Sequence, residues 1–413
     1  MKILLVHNTY QQPGGEDVVF SQERQLLERA GHQVLTYCRS NWEIAGYSSL
    51  ELLASVGRMT WARDAQREIA SLIRREKPDL VHVHNTFLMV SPSVYSACKE
   101  AHVPVVQTLH NYRLLCPAAI FFRRGGTCEE CPEHGLWRGV LHGCYRNSRA
   151  ETSAVALMLT VHRWLRTWTW GVNCFIALSE FSRRKFIEGG IPAEKVVVKP
   201  NFVYADPGCR ARSGEYALFV GRLSPEKRVI TMLAAWQRLQ AHISLRIIGG
   251  GPERKSLEAH AKQMGLSDVC FFGQLPRDEV IAAMKGARCL IFPSEWYENF
   301  PMTIVESFAC GVPVIASRLG AMQEIVEDGR AGLHFTPGDS EDLAAKVNWA
   351  WTHPSEMEEM GRQARAEYEF KYTAERNYQM LMEIYRRVIA ARAGPILAPL
   401  KDSGHAPAIG SGC

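Results

Sequence analysis

The sequence predicts an α/β fold built from two doubly wound, Rossmann-like domains facing each other across a cleft, and three observations predict it. Short runs rich in Val, Ile and Leu alternate with longer amphipathic stretches through most of the chain, which is the pattern of βα units and a parallel sheet. The pattern runs twice, interrupted at Pro200 to Gly214 by a segment holding Pro, Gly, Asp and Ser with little periodicity. At 413 residues the chain also exceeds what one hydrophobic core usually supports.

In the first run, strands are predicted at 3–7, 33–38, 80–84, 105–109, 174–178 and 196–198, with helices between them. In the second they are predicted at 216–220, 245–248, 269–272, 289–292 and 314–316, followed by helical stretches at 343–351, 356–370 and 374–391. The organisation that follows is a first domain at 1–200, carrying a cysteine-containing loop at 111–150, a linker at 201–214 and a second domain at 215–370. A helix at 371–392 is expected to cross back to the first domain, and the Pro-, Gly- and Ser-containing tail at 393–413 is expected to be disordered.

Composition narrows the class. With 46% hydrophobic and 22% charged residues, neither wholesale disorder nor a membrane-spanning bundle is indicated. Met1 and Lys2 precede only four apolar residues before His7, too few for a secretory signal, and the longest apolar stretch, Ala154 to Val161, ends at His162 and Arg163. Twelve cysteines without an export signal read as reduced thiols or metal ligands, so a cytoplasmic location is expected. The net charge of +5 suits phosphates or anionic lipid. Basic residues are dispersed, without an aromatic-basic recognition motif, so no nucleic-acid partner is expected.

The strongest local signal is Phe292-Pro293-Ser294-Glu295-Trp296-Tyr297-Glu298-Asn299-Phe300-Pro301-Met302-Thr303-Ile304-Val305-Glu306, which runs from a strand end through a loop into a helix. Pro301 suits the first helical turn, and free backbone N–H groups near Asn299 to Met302 suit an anionic or hydroxyl-bearing ligand. Glu298 and Glu306 can each accept hydrogen bonds from sugar hydroxyls on either side of a bound diphosphate. Alone, they read equally well as solvated glutamates near a helix start.

Upstream, Gly221-Arg222-Leu223-Ser224-Pro225-Glu226-Lys227 combines a glycine turn with two cations. Gly221 permits close backbone approach, and Arg222 and Lys227 can meet the charge of a departing diphosphate. Gly249 to Pro252 repeats the strand-to-helix glycine turn, and Phe272-Gly273 ends another strand where a nucleobase can lie against backbone. In the first half, Pro13-Gly14-Gly15-Glu16 forms a phosphate or acceptor turn that lacks the three-glycine dinucleotide fingerprint, which disfavours NAD. His110, Asn111, Tyr112 and Arg113 follow the strand at 105–109 as a polar cluster at a sheet edge.

Taken in order, Gly14-Gly15, Thr108 to Pro117, Gly221 to Lys227, Gly249 to Pro252 and Glu298 through Glu306 resemble family 4 of the retaining glycosyltransferases, which have the GT-B fold. The resemblance covers about Met1 to Ala391. It implies that Arg222 and Lys227 hold the diphosphate, that Glu306 holds the ribose, and that Glu298 with the amides of Asn299, Phe300 and Pro301's neighbours holds the donor sugar. His110 would touch that sugar. The implied reaction is front-face hexosyl transfer from a UDP or GDP sugar, with retention of configuration and no metal or cofactor required. The implied setting is bacterial capsule, exopolysaccharide or lipopolysaccharide assembly on lipid-linked saccharide acceptors at the inner face of the cytoplasmic membrane. Where relatives often carry Asp after the histidine, this chain has Asn111, so no acid can be invoked there.

Two features lie outside that resemblance. Cys116, Cys128, Cys131 and Cys144 fall in the 111–150 loop, and the Cys128–Cys131 spacing suits a structural zinc; the alternative is reduced thiols packed as small apolar groups. The stretch Ala154 to Trp170, expected to set Trp164 and Trp168 on one helical face beside His162, Arg163 and Arg166, reads either as an anionic-membrane contact or as a core helix. Competing functions are a nucleotide-sugar epimerase or a sugar phosphorylase on the same fold, the latter needing pyridoxal phosphate on a lysine. A zinc-dependent nucleic-acid-binding module is the remote alternative.

Overall fold

The computed structural model of the protein describes residues 1–11, 14–44 and 56–391. Pro13 and the tail at 393–413 lie outside the described residues. Two six-stranded sheets organise the chain, and every pairing within them is parallel. The first contains β1 (Lys2–Thr9), β2 (Gln33–Ser40), β3 (Leu80–Val83), β4 (Val105–Thr108), β7 (Cys174–Ala177) and β8 (Val196–Val198) in the order β2-β1-β3-β4-β7-β8. The intervening β5 (Phe122–Arg123) and β6 (Gly126–Thr127) make a small hairpin.

The second sheet contains β9 (Tyr216–Val220), β10 (Leu245–Ile248), β11 (Val269–Gly273), β12 (Ala287–Phe292), β13 (Val314–Ser317) and β14 (Gly332–Phe335) in the order β11-β10-β9-β12-β13-β14. Helices cover both faces of each sheet, so central strands are apolar throughout rather than alternating. Ile3, Leu4, Leu5 and Val6 of β1 are all fully buried.

Strand order positions the site. In each sheet the order reverses once, between β1 and β3 in the first and between β9 and β12 in the second. Ligands of open α/β sheets bind outside the carboxyl ends of the strands at such a reversal. Gly14 and Glu16 follow β1, and Gly221 and Glu298 follow β9 and β12, so the residues singled out above stand at those two places.

The helix Ala374–Ala391 packs on the first sheet: its Leu381, Met382, Tyr385 and Val388 share a core with Ile3, Leu5, Val106 and Ile176. The chain therefore enters the second sheet and returns.

Three expectations need correction. Strand β14 is absent from the sequence reading because Gly-Leu-His-Phe lacks a β-branched run; pairing with β13 makes it a strand, and a Cβ on Gly332 would sit 2.0 Å from the Val314 carbonyl oxygen. Pro301 is the N-cap of the helix Met302–Ala309, one residue ahead of the first turn. The stretch 154–170 is two helices, Arg149–Trp164 and Thr167–Gly171, broken at Arg166, whose φ is +51°. That break parts the two tryptophans: Trp168 is buried, whereas Trp164 is 82% exposed.

Candidate functional site

Three glycine turns build the floor of the site at the carboxyl ends of β9, β10 and β11. Gly221 N–H donates to Ile248 O at 3.0 Å, Gly249 N–H to Gly273 O at 2.7 Å, and Leu223 N–H to Gly250 O at 2.8 Å. Gly249 has φ +143°, and a Cβ there would stand 1.9 Å from Gly221 O, so the turns close only without a side chain. Phe272 is the exception in this row. Its exposed ring lies beside the Arg246 guanidinium, 5.7 Å from the ring centroid, so only its backbone belongs to the floor.

Beside the floor, Lys227 Nζ stands 2.5 Å from Glu298 Oε1, which also accepts from Ser294 Oγ (2.9 Å) and Trp296 Nε1 (2.8 Å). A buried carboxylate with three donors keeps a fixed position. Arg222 is exposed and has no ion-pair partner among the described residues. It leaves a free cation at the end of β9. Glu306 sits further round, on Met302–Ala309, with Arg277 3.9 Å away; burial pushes its carboxyl above the usual range, partly offset by Arg277. Phe300 packs edge-on against Tyr372, 6.0 Å between centroids, and so anchors the loop.

The first sheet supplies the opposite wall. Asn299 Nδ2 donates to Leu109 O at 2.6 Å across the cleft, tying the Glu298 loop to the residue that precedes His110. A second tie is Glu324, which accepts from the Glu180 and Phe181 amides at 2.8 and 2.7 Å. His110 is half-buried, lining a cavity with His84, Asn85, Asn111 and Arg113. Gly14 caps the helix Gly15–Arg29, its N–H held by Asp17 Oδ2 at 2.7 Å. Gly14 and Gly15 therefore open the first-sheet side of the cleft and do not join the β9–β11 floor.

Glu16 and Asn111, both named from the sequence, complete this wall together with Asn85, Glu23, His82, His84 and Lys199, which the sequence reading did not single out. Glu16 accepts from Asn85 Nδ2 (2.8 Å) and Asn111 Nδ2 (3.2 Å), and burial followed by Asp17 pushes its carboxyl up to about 8. Behind His110 lies a buried polar chain. His84 Nδ1 is 3.0 Å from His110 Nε2, and Glu23 Oε1 is 3.2 Å from His84 Nε2 and 3.0 Å from His82 Nδ1. Glu23 Oε2 is 3.1 Å from Lys199 Nζ. One signal was available: His82 and His84 alternate on one face of an otherwise apolar strand, where polar residues need partners. Glu23, His82 and His84 form the one set of three ligating side chains among the described residues whose donor atoms all lie within 4.8 Å of one another. Lys199 already supplies the cation there.

The sulfurs of Cys116, Cys128, Cys131 and Cys144 are not drawn together to that distance. All four are free thiols of the loop bearing β5 and β6. Burial, then Cys116, pushes Cys131 up to about 12, and burial with Cys116 and Cys128 raises Cys144.

Residues 13–206 match Glycosyltransferase Family 4, and residues 210–367 match Glycosyl transferases group 1. The D-inositol 3-phosphate glycosyltransferase of Acidothermus cellulolyticus is 31% identical over 338 residues, covering 76% of this chain and 68% of that protein. The chain belongs to the family 4-like GT-B glycosyltransferases.

Other relatives of these glycosyltransferases match over shorter stretches. The D-rhamnosyltransferase WbpZ of Pseudomonas aeruginosa is 31% identical over 38% of this chain, which spans 42% of it. The sulfoquinovosyl transferase SQD2 of Arabidopsis thaliana is 26% identical over 73% of this chain, which spans 55% of it. Among solved structures, Anabaena Alr3699/HepE in complex with UDP superposes with a TM-score of 0.68 at 20% identity, covering 94% of this chain and 100% of that one. That likeness shows the GT-B fold.

Proposed function

We propose that the chain moves a hexose from a UDP or GDP sugar to a saccharide acceptor, with retention of configuration. The observation that carries this reading is the juxtaposition, at one strand-order reversal, of the side-chain-free Gly221–Gly249 turn, the cations Arg222 and Lys227 and the fixed Glu298, opposite His110. The turn admits a diphosphate to backbone, and the two cations stabilise it as the anomeric bond breaks. Glu298 and the loop after it grip the hexose, and Glu306 accepts the ribose hydroxyls. The acceptor oxygen attacks from the face the diphosphate leaves, and its proton passes to the departing phosphate oxygen, so bonds and charge balance without a covalent enzyme intermediate.

The acceptor in this reading is lipid-linked and the pathway is bacterial surface-polysaccharide assembly. Trp164, Leu165, Trp170 and Leu157 are exposed, and Arg163, Arg166 and Lys195 beside them have no carboxylate partner among the described residues. Apolar side chains flanked by cations without carboxylate partners suit an anionic membrane surface. Among the described residues no helix is long and apolar enough to cross a membrane.

A structural zinc on Cys116, Cys128, Cys131 and Cys144 is proposed separately. It requires the loop to tighten, because Zn–S bonds of about 2.3 Å demand closer sulfurs. Zinc analysis of protein purified from zinc-replete cells decides it; folded protein without zinc ends the idea.

The main reading is tested by a melting-temperature screen against UDP, GDP, ADP and their common sugars. A bound donor at 100 times its Kd stabilises by about 2.7 kcal/mol. Indifference of the wild-type chain to every activated sugar would sink the proposal. Turnover with inorganic phosphate in a pyridoxal-containing preparation would favour a phosphorylase instead.

A further inference from the structure

We propose that Glu23, acting through His84, holds His110 in the tautomer that carries its proton on Nε2 and presents the Nδ1 lone pair to the cleft. His110 then serves as a hydrogen-bond acceptor for a hydroxyl of the sugar being transferred. Glu23 and His84 are positioning residues, since both are buried and both act through His110, although His84 borders the cavity that His110 lines. The hydroxyl's identity rests on the function proposed above; the tautomer does not.

The argument is one of donors and acceptors in a buried chain. Glu23, His82 and His84 are buried, with Glu23 1%, His82 0% and His84 3% exposed. Burial alone would push the Glu23 carboxyl up, but Lys199, His82 and the imidazole hydrogen bonds overcome it and hold the carboxyl well below its usual range. Glu23 is therefore an acceptor only.

Among the described residues neither Glu23 Oε1 nor His84 Nε2 has a well-aligned hydrogen-bond partner; they face each other at 3.2 Å, and His82 Nδ1, which also meets the Tyr385 hydroxyl at 2.7 Å, lies 3.0 Å from the same carboxylate oxygen. Leaving both orphaned in the interior is costly, so the proton of His84 lies on Nε2, directed at the carboxylate. His84 Nδ1 is then an acceptor, and the only donor it meets among the described residues is His110 Nε2, at 3.0 Å. His110 Nδ1 has no side-chain or backbone partner among the described residues and is left bare beside Asn85, Asn111 and Arg113.

The neighbours keep the chain neutral beyond Glu23. Burial, then His82, pushes His84 down to about 3, and burial, then His84 and His7, holds His110 well below the usual imidazole range. The other groups facing the chain are His7, held by Asp17 at 2.8 Å, and Tyr385, whose hydroxyl is 2.7 Å from His82 Nδ1. Lys199 is fixed by Glu23 and by Asn377 Oδ1, both at 3.1 Å. Tyr385 and Asn377 come from the returning helix Ala374–Ala391, so the carboxy-terminal segment helps set the state of a histidine in the cleft.

The test is long-range ¹H–¹⁵N correlation on full-length protein with ¹⁵N-histidine, the His110 signals being assigned by their loss in His110→Asn. The wild type is expected to show Nε2 protonated, Nδ1 bare, and no titration between about pH 6 and 8. His84→Phe is expected to mix the tautomers and to lower kcat about tenfold with little change in donor KM, the order of one lost hydrogen bond in the transition state. Glu23→Gln should give a smaller mixing.

A proton on Nδ1 of wild-type His110 overturns the proposal, and so does a His84→Phe protein that keeps both tautomer and kcat. Should neither variant fold, the wild-type spectrum alone decides. An Nε2 tautomer in a protein that transfers no sugar would sink the transferase reading and leave the relay standing.

Discussion

Lys227 Nζ and Glu298 Oε1 are 2.5 Å apart, so the cation assigned to the leaving diphosphate and the carboxylate assigned to the hexose hold each other before any donor arrives. Each is prepositioned by the other. Lys227→Ala is expected to abolish the melting-temperature rise with UDP or GDP, as is Glu306→Ala. Glu298→Gln should retain the rise with the bare nucleotide and lose the increment added by the sugar. Retained shifts in both Lys227→Ala and Glu306→Ala would remove the site assignment.

Glu16 sets an alkaline limit. Its folded pKa is raised to about 8, so the folded state binds this proton more tightly than the unfolded chain does. The resulting stability is fully present below the usual carboxylate range and is lost as pH rises through about 8. The melting temperature should therefore fall from pH 7 to pH 9, and Glu16→Gln should flatten that fall. An equal fall in both proteins would refute the assignment.

Glu324 ties the second sheet's layer to the first through two amides at the start of the helix Glu180–Glu188. Glu324→Ala should cost about 1 to 3 kcal/mol of closure, for hydrogen bonds to a charged group. Small-angle scattering should show a larger radius of gyration in the absence of nucleotide, together with a raised donor KM. An unchanged radius and KM would mean that the Asn299–Leu109 contact and the returning helix suffice.

Two neighbouring glycines should respond oppositely. Gly249→Ala places a methyl against Gly221 O at φ +143°, so a loss of at least about 2 kcal/mol is expected. Gly250→Ala meets open space and should stay within about 0.5 kcal/mol of wild type. Chemical denaturation of the two variants makes the comparison. Equal costs would contradict the stacked-turn geometry.

Trp164 and Trp170, 82% and 64% exposed, make the membrane face testable. Replacing both by Ser should greatly reduce sedimentation with anionic liposomes while leaving the melting temperature nearly unchanged, since neither is in the core. Wild-type protein that ignores both neutral and anionic vesicles would remove this face from the reading.

Most of the second sheet was legible because each parallel strand is buried on both faces and so announces itself as an apolar run. The exception, Gly332–Phe335, shows the limit: its strand character comes from the β13 edge it completes, not from its own residues. The break at Arg166 was hidden for a similar reason. Hydrophobic spacing alone would continue the helix, and the left-handed turn that ends it depends on His162 reaching Thr60 O at 2.7 Å and on Trp168 entering the core.

Local order along the chain determined the two-domain plan and the glycine, cation and carboxylate groups after β9 and β12, because those groups sit within a few residues of the strands that carry them. Only the tertiary structure decided which distant side chains share a proton or a charge. Glu23, His84, His110 and Lys199 come from four separate segments, and Asn299 meets Leu109 across 190 positions. A hydrogen bond is set by separation in space, and separation in sequence carries no record of it until the sheets are folded against each other.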